Sequence, residues 1–302
     1  MGVVSNLVYL LGVLCVGFAG RYVGVLNDAH ATYLSRFAFY VALPALVFTS
    51  TASQPLREVL EPRLVVGFWA VLLSMAGLAW VVHRRESTPG VRSVAVVQSY
   101  HCNLGFLGLP IAAVAFGDVV AAKASLVLGV GALTQVPLSV AVLAFVNDSE
   151  ANLTRELRGF LTNPVVAALV AGLLAAALDV AVPGAVSSAL VAVGDLALPV
   201  ALLAVGASLS IDRESVDLST VGTVVLLKML VMPAAALVAF SLLSADLSTT
   251  RAGVLMLAMP TAVSTFIYAT ELGGDANLAS VNVFATTMAS VGTILLVLQF
   301  VG

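Results

Sequence analysis

Ten long apolar segments constrain what this chain can fold into. They lie at about 3–24, 31–51, 63–83, 92–117, 120–146, 161–180, 185–210, 219–243, 251–272 and 277–300, with short connections between them. A helix needs roughly 20 apolar residues to cross about 30 Å of hydrocarbon. Only 10% of the residues are charged, which is too few to cover the surface of a soluble domain. The sequence therefore predicts an all-α integral membrane protein with ten transmembrane helices, here called spans 1 to 10.

The two halves of the chain carry related sequences. Ala42-Leu43-Pro44 in span 2 recurs as Ala197-Leu198-Pro199 in span 7. We place the halves at 1–150 and 151–302, with five spans in each. Because five is an odd number, the second half must enter the membrane from the opposite face. The sequence therefore predicts an inverted repeat, an arrangement from which many transporters build a site near the middle of the bilayer.

The placement of basic residues predicts the orientation. Loops that follow spans 1, 3, 5, 7 and 9 carry seven arginines, whereas the opposite side carries four lysines or arginines. Since cytoplasmic loops carry the excess of basic residues, the first side is predicted to be cytoplasmic. Both termini would then be extracellular, in a multi-pass protein of the plasma membrane.

Spans 4 and 9 contain residues that interrupt helices. Gly105, Gly108 and Pro110 fall within span 4, and Pro260 lies near the middle of span 9. Glycine and proline destabilise a helix interior. Non-helical backbone survives at membrane depth only where protein or a water-filled cavity satisfies its polar groups. Two broken spans at matching places in an inverted repeat predict crossing half-helices, whose N-terminal ends favour anions.

Polar residues beside these interruptions are the first candidates for a binding site. Asn103 adjoins the interruption of span 4, while Thr261 and Ser264 follow Pro260. An uncharged amide both donates and accepts hydrogen bonds, which suits a carboxylate that is held by neutral donors. The alternative is that these residues form hydrogen bonds between helices, as is common in membrane bundles.

Three ionisable residues within spans are candidates for a coupling role, because such groups are unfavourable there and usually functional. Asp195 in span 7 and Lys228 in span 8 could pair with each other, stabilise the bundle or form part of a proton relay. His101 is close to Asn103 and could titrate near neutral pH. In a continuous helix, a step of about 100° per residue would place His101 and Asn103 on different faces.

The order and spacing of several short motifs resemble those of the auxin efflux carrier family, which includes the plant PIN-formed auxin carriers. The resemblance covers essentially the whole chain and rests on the following residues: Leu34-Ser35-Arg36-Phe37 leading to Leu43-Pro44 in span 2, Asn103 through Gly108-Leu109-Pro110 in span 4, Lys228 five positions before Pro233 in span 8, and Pro260-Thr261 within Leu257 to Leu272 in span 9. The long cytosolic loop of many plant members is absent between spans 5 and 6.

The resemblance implies a ten-helix inverted-repeat fold in which spans 4 and 9 are broken and cross each other. Spans 3–5 and 8–10 would form a transport domain, and spans 1, 2, 6 and 7 a scaffold. The family's crossover asparagine falls on Asn103, and its crossover pair in span 9 falls on Pro260 and Thr261. A glutamine that lines the family's substrate site falls on Gln135.

Two departures from the plant pattern affect the expected site. Cys102 stands where plant members have the first crossover proline, so this break could be softer or be carried by Gly105 and Pro110. Thr261 replaces a glutamine, which argues against an auxin-like substrate. The candidate substrate site therefore comprises Asn103, Gly105, Gln135, Pro260, Thr261 and Ser264, with Cys102, Pro110 and Pro260 as hinge residues.

These features favour a secondary transporter of small organic anions, such as auxin-like or mono- and dicarboxylic acids, that works by an elevator-type alternating-access mechanism. No carboxylate lies at 98–117 or 253–270. This argues against a sodium site there and favours uniport or proton coupling through Asp195 or His101. A proton- or sodium-coupled carrier of the same architecture is the alternative. An intramembrane enzyme is the weakest interpretation, because Asp195 is the one aspartate well inside a span.

The sequence also limits the partners of the protein. No spacing of cysteines and histidines suits a metal, and no basic patch suits nucleic acid. We therefore expect no cofactor, no metal and no nucleic-acid partner. The expected partners are the lipid bilayer, a small organic anion and, since members of the family can dimerise, a second copy of the chain.

Overall fold

The computed structural model describes residues 3–86, 88–149, 158–159, 162–208 and 217–302, and within them the regular structure is helical with no strand. The α-helices in chain order are α1 Val3–Tyr22, α2 Asp28–Phe37, α3 Leu43–Ala52, α4 Leu56–Val59, α5 Pro62–Val82, α6 Pro89–Gln98, α7 Leu109–Phe116, α8 Asp118–Asn147, α9 Pro164–Ala177, α10 Gly184–Gly194, α11 Ala197–Ser208, α12 Leu218–Leu226, α13 Met232–Leu242, α14 Leu247–Leu257, α15 Ser264–Glu271 and α16 Ala276–Val301. The predicted boundary between the halves at 150/151 and the end of predicted span 7 at 209–210 lie outside the described residues.

Six helical segments are long and apolar enough to cross a membrane: Ala29–Ala52, Leu56–Arg85, Asp118–Asn147, Gly184–Ala207, Leu218–Leu242 and Ala276–Val301. They correspond to predicted spans 2, 3, 5, 7, 8 and 10. The other four predicted spans fall on α1, on α6 with α7, on α9, and on α14 with α15. The prediction of an all-helical, multi-pass membrane protein is confirmed, while ten crossings in an inverted repeat remain a prediction.

Three prolines determine where long helices widen into π-helical turns. The π segments Ala38–Ala42, Leu104–Gly108 and Leu227–Val231 each end two residues before a proline, which is Pro44, Pro110 or Pro233. Proline has no N–H, and its ring clashes with the carbonyl four residues earlier. In each segment the closing N–H donates to a carbonyl five residues back, as Leu43 N does to Ala38 O. The wider turn relieves the clash, so Pro110 lies in a continuous helix rather than at an interruption.

The helices pack most extensively within two groups. Helix α3 packs against α9 and α10, and α11 packs against α1 and α2; we call α1–α3 and α9–α11 the first group. The second group, α5–α8 and α12–α16, is organised around α14, which packs against α5, α8 and α13. Glycines permit close backbone contact in the first group. A Cβ at Gly194 would lie 3.1 Å from Leu46 Cα, and one at Gly172 would overlap Thr51 Oγ1.

Two interruptions lie inside the second group. After α6 the chain is non-helical at 99–103, and after α14 it is non-helical at 258–263; we call these the first break and the second break. The side chains of Tyr100, Leu257 and Met259 beside them are fully buried. Both breaks are thus surrounded by protein, which is the condition for irregular backbone at membrane depth.

Candidate functional site

The two breaks contact each other through their backbones. Three pairs of residues make the contact: Asn103 N donates to Pro260 O (2.8 Å), Ala262 N donates to His101 O (3.4 Å), and Cys102 forms an antiparallel bridge with Thr261. Each break thereby satisfies backbone groups that the other would leave unpaired after losing its helical hydrogen bonds. The irregular backbone of both breaks is stable in an apolar interior because they meet.

Gln135 of α8 completes the pairing of the first break. Its Oε1 accepts a hydrogen bond from Cys102 N, and its Nε2 donates to Cys102 O, both at 3.0 Å. In an antiparallel bridge of this type these two backbone groups point away from the partner strand. The side chain of Gln135 therefore pairs with Cys102 as a neighbouring strand would. We infer that Gln135 holds the break in place, whatever contact it also makes with a substrate.

Thr261 has a similar internal role in the second break. Its Oγ1 donates to Gln98 O (2.6 Å), and its backbone N donates to Thr286 Oγ1 (3.3 Å). The residue is fully buried. Thr261 therefore uses its hydroxyl proton to tie the second break to the end of α6.

A cavity of about 490 Å³ lies beside the first break, between the two helix groups. Phe39 and Leu43 line it from the first group, while Leu104 and Leu133 line it from the second. Its polar lining residues are His101, Cys102, Asn103, Gln135, Asn163, Ser264 and Tyr268. No aspartate, glutamate, lysine or arginine is among the described residues that line it. The cavity is therefore mostly apolar, with a few neutral groups that could orient a ligand, as in many small-molecule sites.

Asn103, which lines this cavity, has an unused hydrogen-bond donor. Its Oδ1 accepts from Phe106 N (3.2 Å) and so caps the π segment that leads into α7. Its Nδ2 is buried and has no hydrogen-bond partner among the described residues. Leaving such a group unpaired costs about 1–3 kcal/mol. A ligand oxygen that accepted from Nδ2 would recover this free energy.

Lys228 lies directly behind the first break. Its Nζ is 2.8 Å from Cys102 Sγ, 3.1 Å from Met232 Sδ and 3.4 Å from Leu257 O, and the side chain is fully buried. It does not line the cavity, because Cys102 stands between. The positive charge that Lys228 carries when protonated would nevertheless lie close to a ligand at Asn103.

Asp195 lies elsewhere. It is exposed and lines a second cavity, of about 580 Å³, together with Asp118 and Ser187. Since the contacts of Lys228 Nζ are two sulfur atoms and a carbonyl, the structure does not bring Asp195 and Lys228 together. The suggested pairing of these two residues is not observed.

Most of the substrate-site residues that were predicted from the sequence line the cavity. Gly105 and Ser264 line it, as do Cys102, Asn103 and Gln135. His101 lines it too, because the first break removes the helical turn that would have placed His101 and Asn103 on different faces. Pro260 and Thr261 belong to the contact between the breaks and are not among the lining residues.

Three polar residues at the site were not among the residues predicted from the sequence. Ser139 Oγ is 2.8 Å from His101 Nδ1, Tyr268 lines the cavity, and Asn163 lines it while capping α9 through Val165 N (2.9 Å). The spacing of four residues along a helix could have identified two of them. Ser139 follows Gln135 by four residues and Tyr268 follows Ser264 by four, so each shares a helix face with a nominated residue.

An ion pair anchors α14, the helix that leads into the second break. Asp246 caps α14 by accepting from Thr249 N (3.0 Å), and Lys123 Nζ of α8 lies 3.2 Å from Asp246 Oδ1. Partial burial raises the pKa of Asp246, but hydrogen bonds from Ser248, Thr249 and Lys123 lower it by more. The pKa of this carboxyl is therefore well below its ordinary value.

Comparison with known proteins identifies relatives along the whole chain. A family model described as "Membrane transport protein" matches residues 3–298. A putative malonate transporter of Rhizobium meliloti (strain 1021) is 24% identical over 270 residues, which cover 87% of this chain and 84% of that protein. An uncharacterized transporter of Methanothermobacter thermautotrophicus is 28% identical over 120 residues, 39% of this chain and 40% of that protein.

Proposed function

This chain belongs to the auxin efflux carrier family of membrane transport proteins, and we propose that it is a secondary transporter of small organic anions. The unpaired Nδ2 of Asn103 at the cavity carries this proposal. A carboxylate can accept from this donor, and hydrogen bonds to charged groups are worth about 1.5–3 kcal/mol.

The electrostatics of the cavity support an anion. Helix α15 begins at the cavity with Ser264, and no side chain caps its N-terminus. The N-terminal end of a helix carries a partial positive charge that stabilises anions. No acidic group lines the cavity within the described residues to oppose a carboxylate. A cation would meet none of these favourable interactions.

Two substrate classes fit the cavity. The relative from Rhizobium meliloti is named a putative malonate transporter, which makes short dicarboxylates the first candidates. The aromatic side chains of Phe39 and Phe106 line the cavity and would suit the ring of an auxin-like indole acid. Thr261 replaces a glutamine of the plant carriers, and this replacement argued against an auxin-like substrate. Since Thr261 is not among the lining residues, that argument does not apply to the cavity.

We further propose ten spans in an inverted repeat, with the two breaks as the crossing points of spans 4 and 9. In this scheme the first helix group is the scaffold, and the second group moves against it in an elevator-type cycle. The position of the cavity between the two groups supports this scheme, because such a movement would expose the cavity to either side in turn. We also expect the protein to lie in the plasma membrane with extracellular termini and to form a homodimer.

The test is counterflow in proteoliposomes that contain the purified protein. Vesicles loaded with malonate are expected to accumulate labelled malonate, and a panel of mono- and dicarboxylates and indole-3-acetate is added as competitors. Inhibition by short dicarboxylates alone would identify the substrate class, whereas inhibition by indole-3-acetate alone would select the auxin-like class. If neither class moves label or competes in protein that remains folded, the proposed function is wrong.

A further inference from the structure

The chain has two lysines, and they differ in whether a carboxylate contacts the ammonium group. Lys123 and Lys228 are both buried. Lys123 Nζ contacts the carboxylate of Asp246 and the hydroxyls of Ser248 and Thr249. Lys228 Nζ has one carbonyl and two sulfur atoms instead, and sulfur is a weak hydrogen-bond acceptor. Lys123 therefore has a counter-charge, whereas Lys228 has none in direct contact within the part of the chain that the structure describes.

The groups that face Lys228 come from each element packed around it. They are Cys102 and His101 of the first break, Leu257 at the end of α14, Met232 of its own helix, and Thr293 of α16, whose hydroxyl donates to the neighbouring Met229 O. The titratable groups in this set are Cys102 and His101, and neither is a carboxylic acid. A buried ammonium without a counter-charge is unfavourable and tends to lose its proton.

The surroundings of Lys228 still favour a cation once a counter-charge arrives. Leu257 is the last residue of α14, and the C-terminal end of a helix carries a partial negative charge. On the other side of Cys102 lies the cavity with Asn103, where the proposed anion would bind. An anion there would supply the counter-charge that Lys228 lacks. Protonation of Lys228 and binding of the anion should therefore favour each other.

We propose that Lys228 carries a proton that is transported together with the anion. When the anion binds, the Cys102 S–H proton passes to the lone pair of the neutral Nζ and forms an N–H bond, water in the cavity reprotonates Cys102 Sγ, and Sγ accepts a hydrogen bond from the resulting ammonium. When the anion leaves on the opposite side, that N–H bond breaks and the proton returns to water. In the empty carrier the Cys102 thiol donates to the neutral amine. No oxidation or reduction is involved.

This inference rests on the proposed function and adds the coupling to it. It assigns the coupling to Lys228 and Cys102, instead of to Asp195 or to His101 alone. It also explains how a carrier with no acidic side chain among the described residues of its cavity can return empty across the membrane. Without the anion, the neutral pair moves no uncompensated charge through the low-dielectric interior.

The first experiment uses the wild-type protein and separates coupling from binding. Malonate binding is measured by calorimetry at about pH 8, where malonate is fully ionised, in buffers of different ionisation enthalpy. The number of protons taken up per bound anion follows from the dependence of the heat on the buffer. We expect about one proton, since one group is protonated on binding. Binding without proton uptake would overturn the coupling and leave the proposed function intact, whereas absence of binding by malonate and by indole-3-acetate would overturn the function itself.

The second experiment uses proteoliposomes with a pH-sensitive dye inside and the membrane potential clamped. An inward malonate gradient should acidify the interior in the wild type. Lys228→Arg keeps a permanent positive charge, so counterflow of anion for anion should continue while net uptake and acidification fall at least about tenfold. Lys228→Met has no charge to balance the anion, so its affinity for malonate should fall by about tenfold or more.

Lys123→Arg is the matched control, because it changes the other buried lysine while Asp246 remains its partner. This variant should retain both counterflow and acidification. Net uptake with full acidification in Lys228→Arg would overturn the proposal. Should either Lys228 variant fail to fold, the wild-type proton count still decides the question.

Discussion

The first break and the second break contact each other but use their polar groups differently. In the first break, Asn103 Nδ2 has no partner among the described residues, and Asn103 lines the cavity. In the second break, the Thr261 hydroxyl donates to Gln98 O and the residue is fully buried. Two breaks that pair through their backbones therefore do not have to share a binding role. We infer that the first break binds the substrate and that the second supports it.

The chemistry of the two side chains explains this difference. An asparagine amide has both an acceptor and donors, so Asn103 can cap the following helix through Oδ1 and still keep Nδ2 for a ligand. A threonine hydroxyl has one proton, and Thr261 has already used it inside the protein. Four predictions test this difference between the two breaks, and they are given in order of decreasing effect.

The largest effect is expected from removing the support of the first break. Gln135→Ala would leave Cys102 N unpaired in a buried place, while Cys102 O would keep one donor, Leu104 N (2.9 Å). Since a buried unpaired group costs about 1–3 kcal/mol, the free energy of unfolding should fall by about 2 kcal/mol. Thermal or denaturant unfolding in detergent measures the loss. Gln135→Glu keeps the acceptor for Cys102 N and should lose less, and equal losses in the two variants would contradict this account.

The second effect concerns binding. Asn103→Ala removes the free donor, so the affinity for malonate should fall by about tenfold or more. It also removes a helix cap and should lower stability by about 1 kcal/mol. Asn103→Ser keeps an oxygen that can cap the helix, so its stability should recover more than its affinity does.

Thr261→Val tests the contrast between the breaks within the same assay. Because Thr261 does not line the cavity, its loss should change the affinity by less than about threefold. Calorimetry with malonate compares the three variants. The assignment of binding to the first break would be abandoned if Thr261→Val weakened binding as much as Asn103→Ala.

A smaller loss of stability is expected from removing the hydrogen bond that Thr286 accepts from the second break. Thr286→Val removes the acceptor for Thr261 N, which is one hydrogen bond where Gln135 supplies two. The free energy of unfolding should fall by about 1 kcal/mol. Thr287→Val is the matched control, because Thr287 Oγ1 donates within its own helix to Val283 O. An equal loss in both variants would show that the bond to Thr261 contributes nothing specific.

The smallest effect concerns pH and the helices that lead into the breaks. A neutral Thr88 caps α6 before the first break, whereas the carboxylate of Asp246 caps α14 before the second. Because the pKa of Asp246 is lowered in the folded protein, its contribution is complete above the unfolded value of about 4 and is lost as the pH falls below it. The Asp246 carboxylate is half exposed, so this contribution should be below about 1 kcal/mol.

Melting temperatures between about pH 6 and pH 3 test this prediction, since the ordinary carboxyl pKa lies within that range. The double variant Lys123→Met/Asp246→Asn removes the pair without leaving a lone buried charge. It should lose less stability on acidification than the wild type does. A pH dependence that is unchanged in the double variant would assign the acid sensitivity to other carboxyl groups.

Most of the fold class was predictable, because burial of apolar segments in a bilayer depends on composition and length alone. The positions of the breaks were predicted to within a few residues, but the cause of the first break was not. Pro110 was expected to act as a hinge, yet the π segment Leu104–Gly108 accommodates it within a helix. The first break lies instead at 99–103, where the bridge from Cys102 to Thr261 replaces helical hydrogen bonds.

The roles of the polar residues were less predictable. Gln135 was expected to contact the substrate because of the family resemblance, and Thr261 because polar side chains near a helix break can bind ligands. Whether such a group is free depends on partners more than 30 residues away in the chain, as Cys102 is from Gln135. The identity of those partners is a property of packing, so no local pattern in the sequence could reveal it.

The sequence by itself determined that this protein is a multi-pass helical membrane protein with two interrupted spans, because hydrophobic length and helix-breaking residues act locally. Only the tertiary structure decided that the interruptions pair with each other, that Asn103 keeps a free donor while Thr261 does not, and that Lys228 meets sulfur instead of a carboxylate. Each of these results depends on which distant atoms come within hydrogen-bonding distance, and that distance is set by how the helices pack.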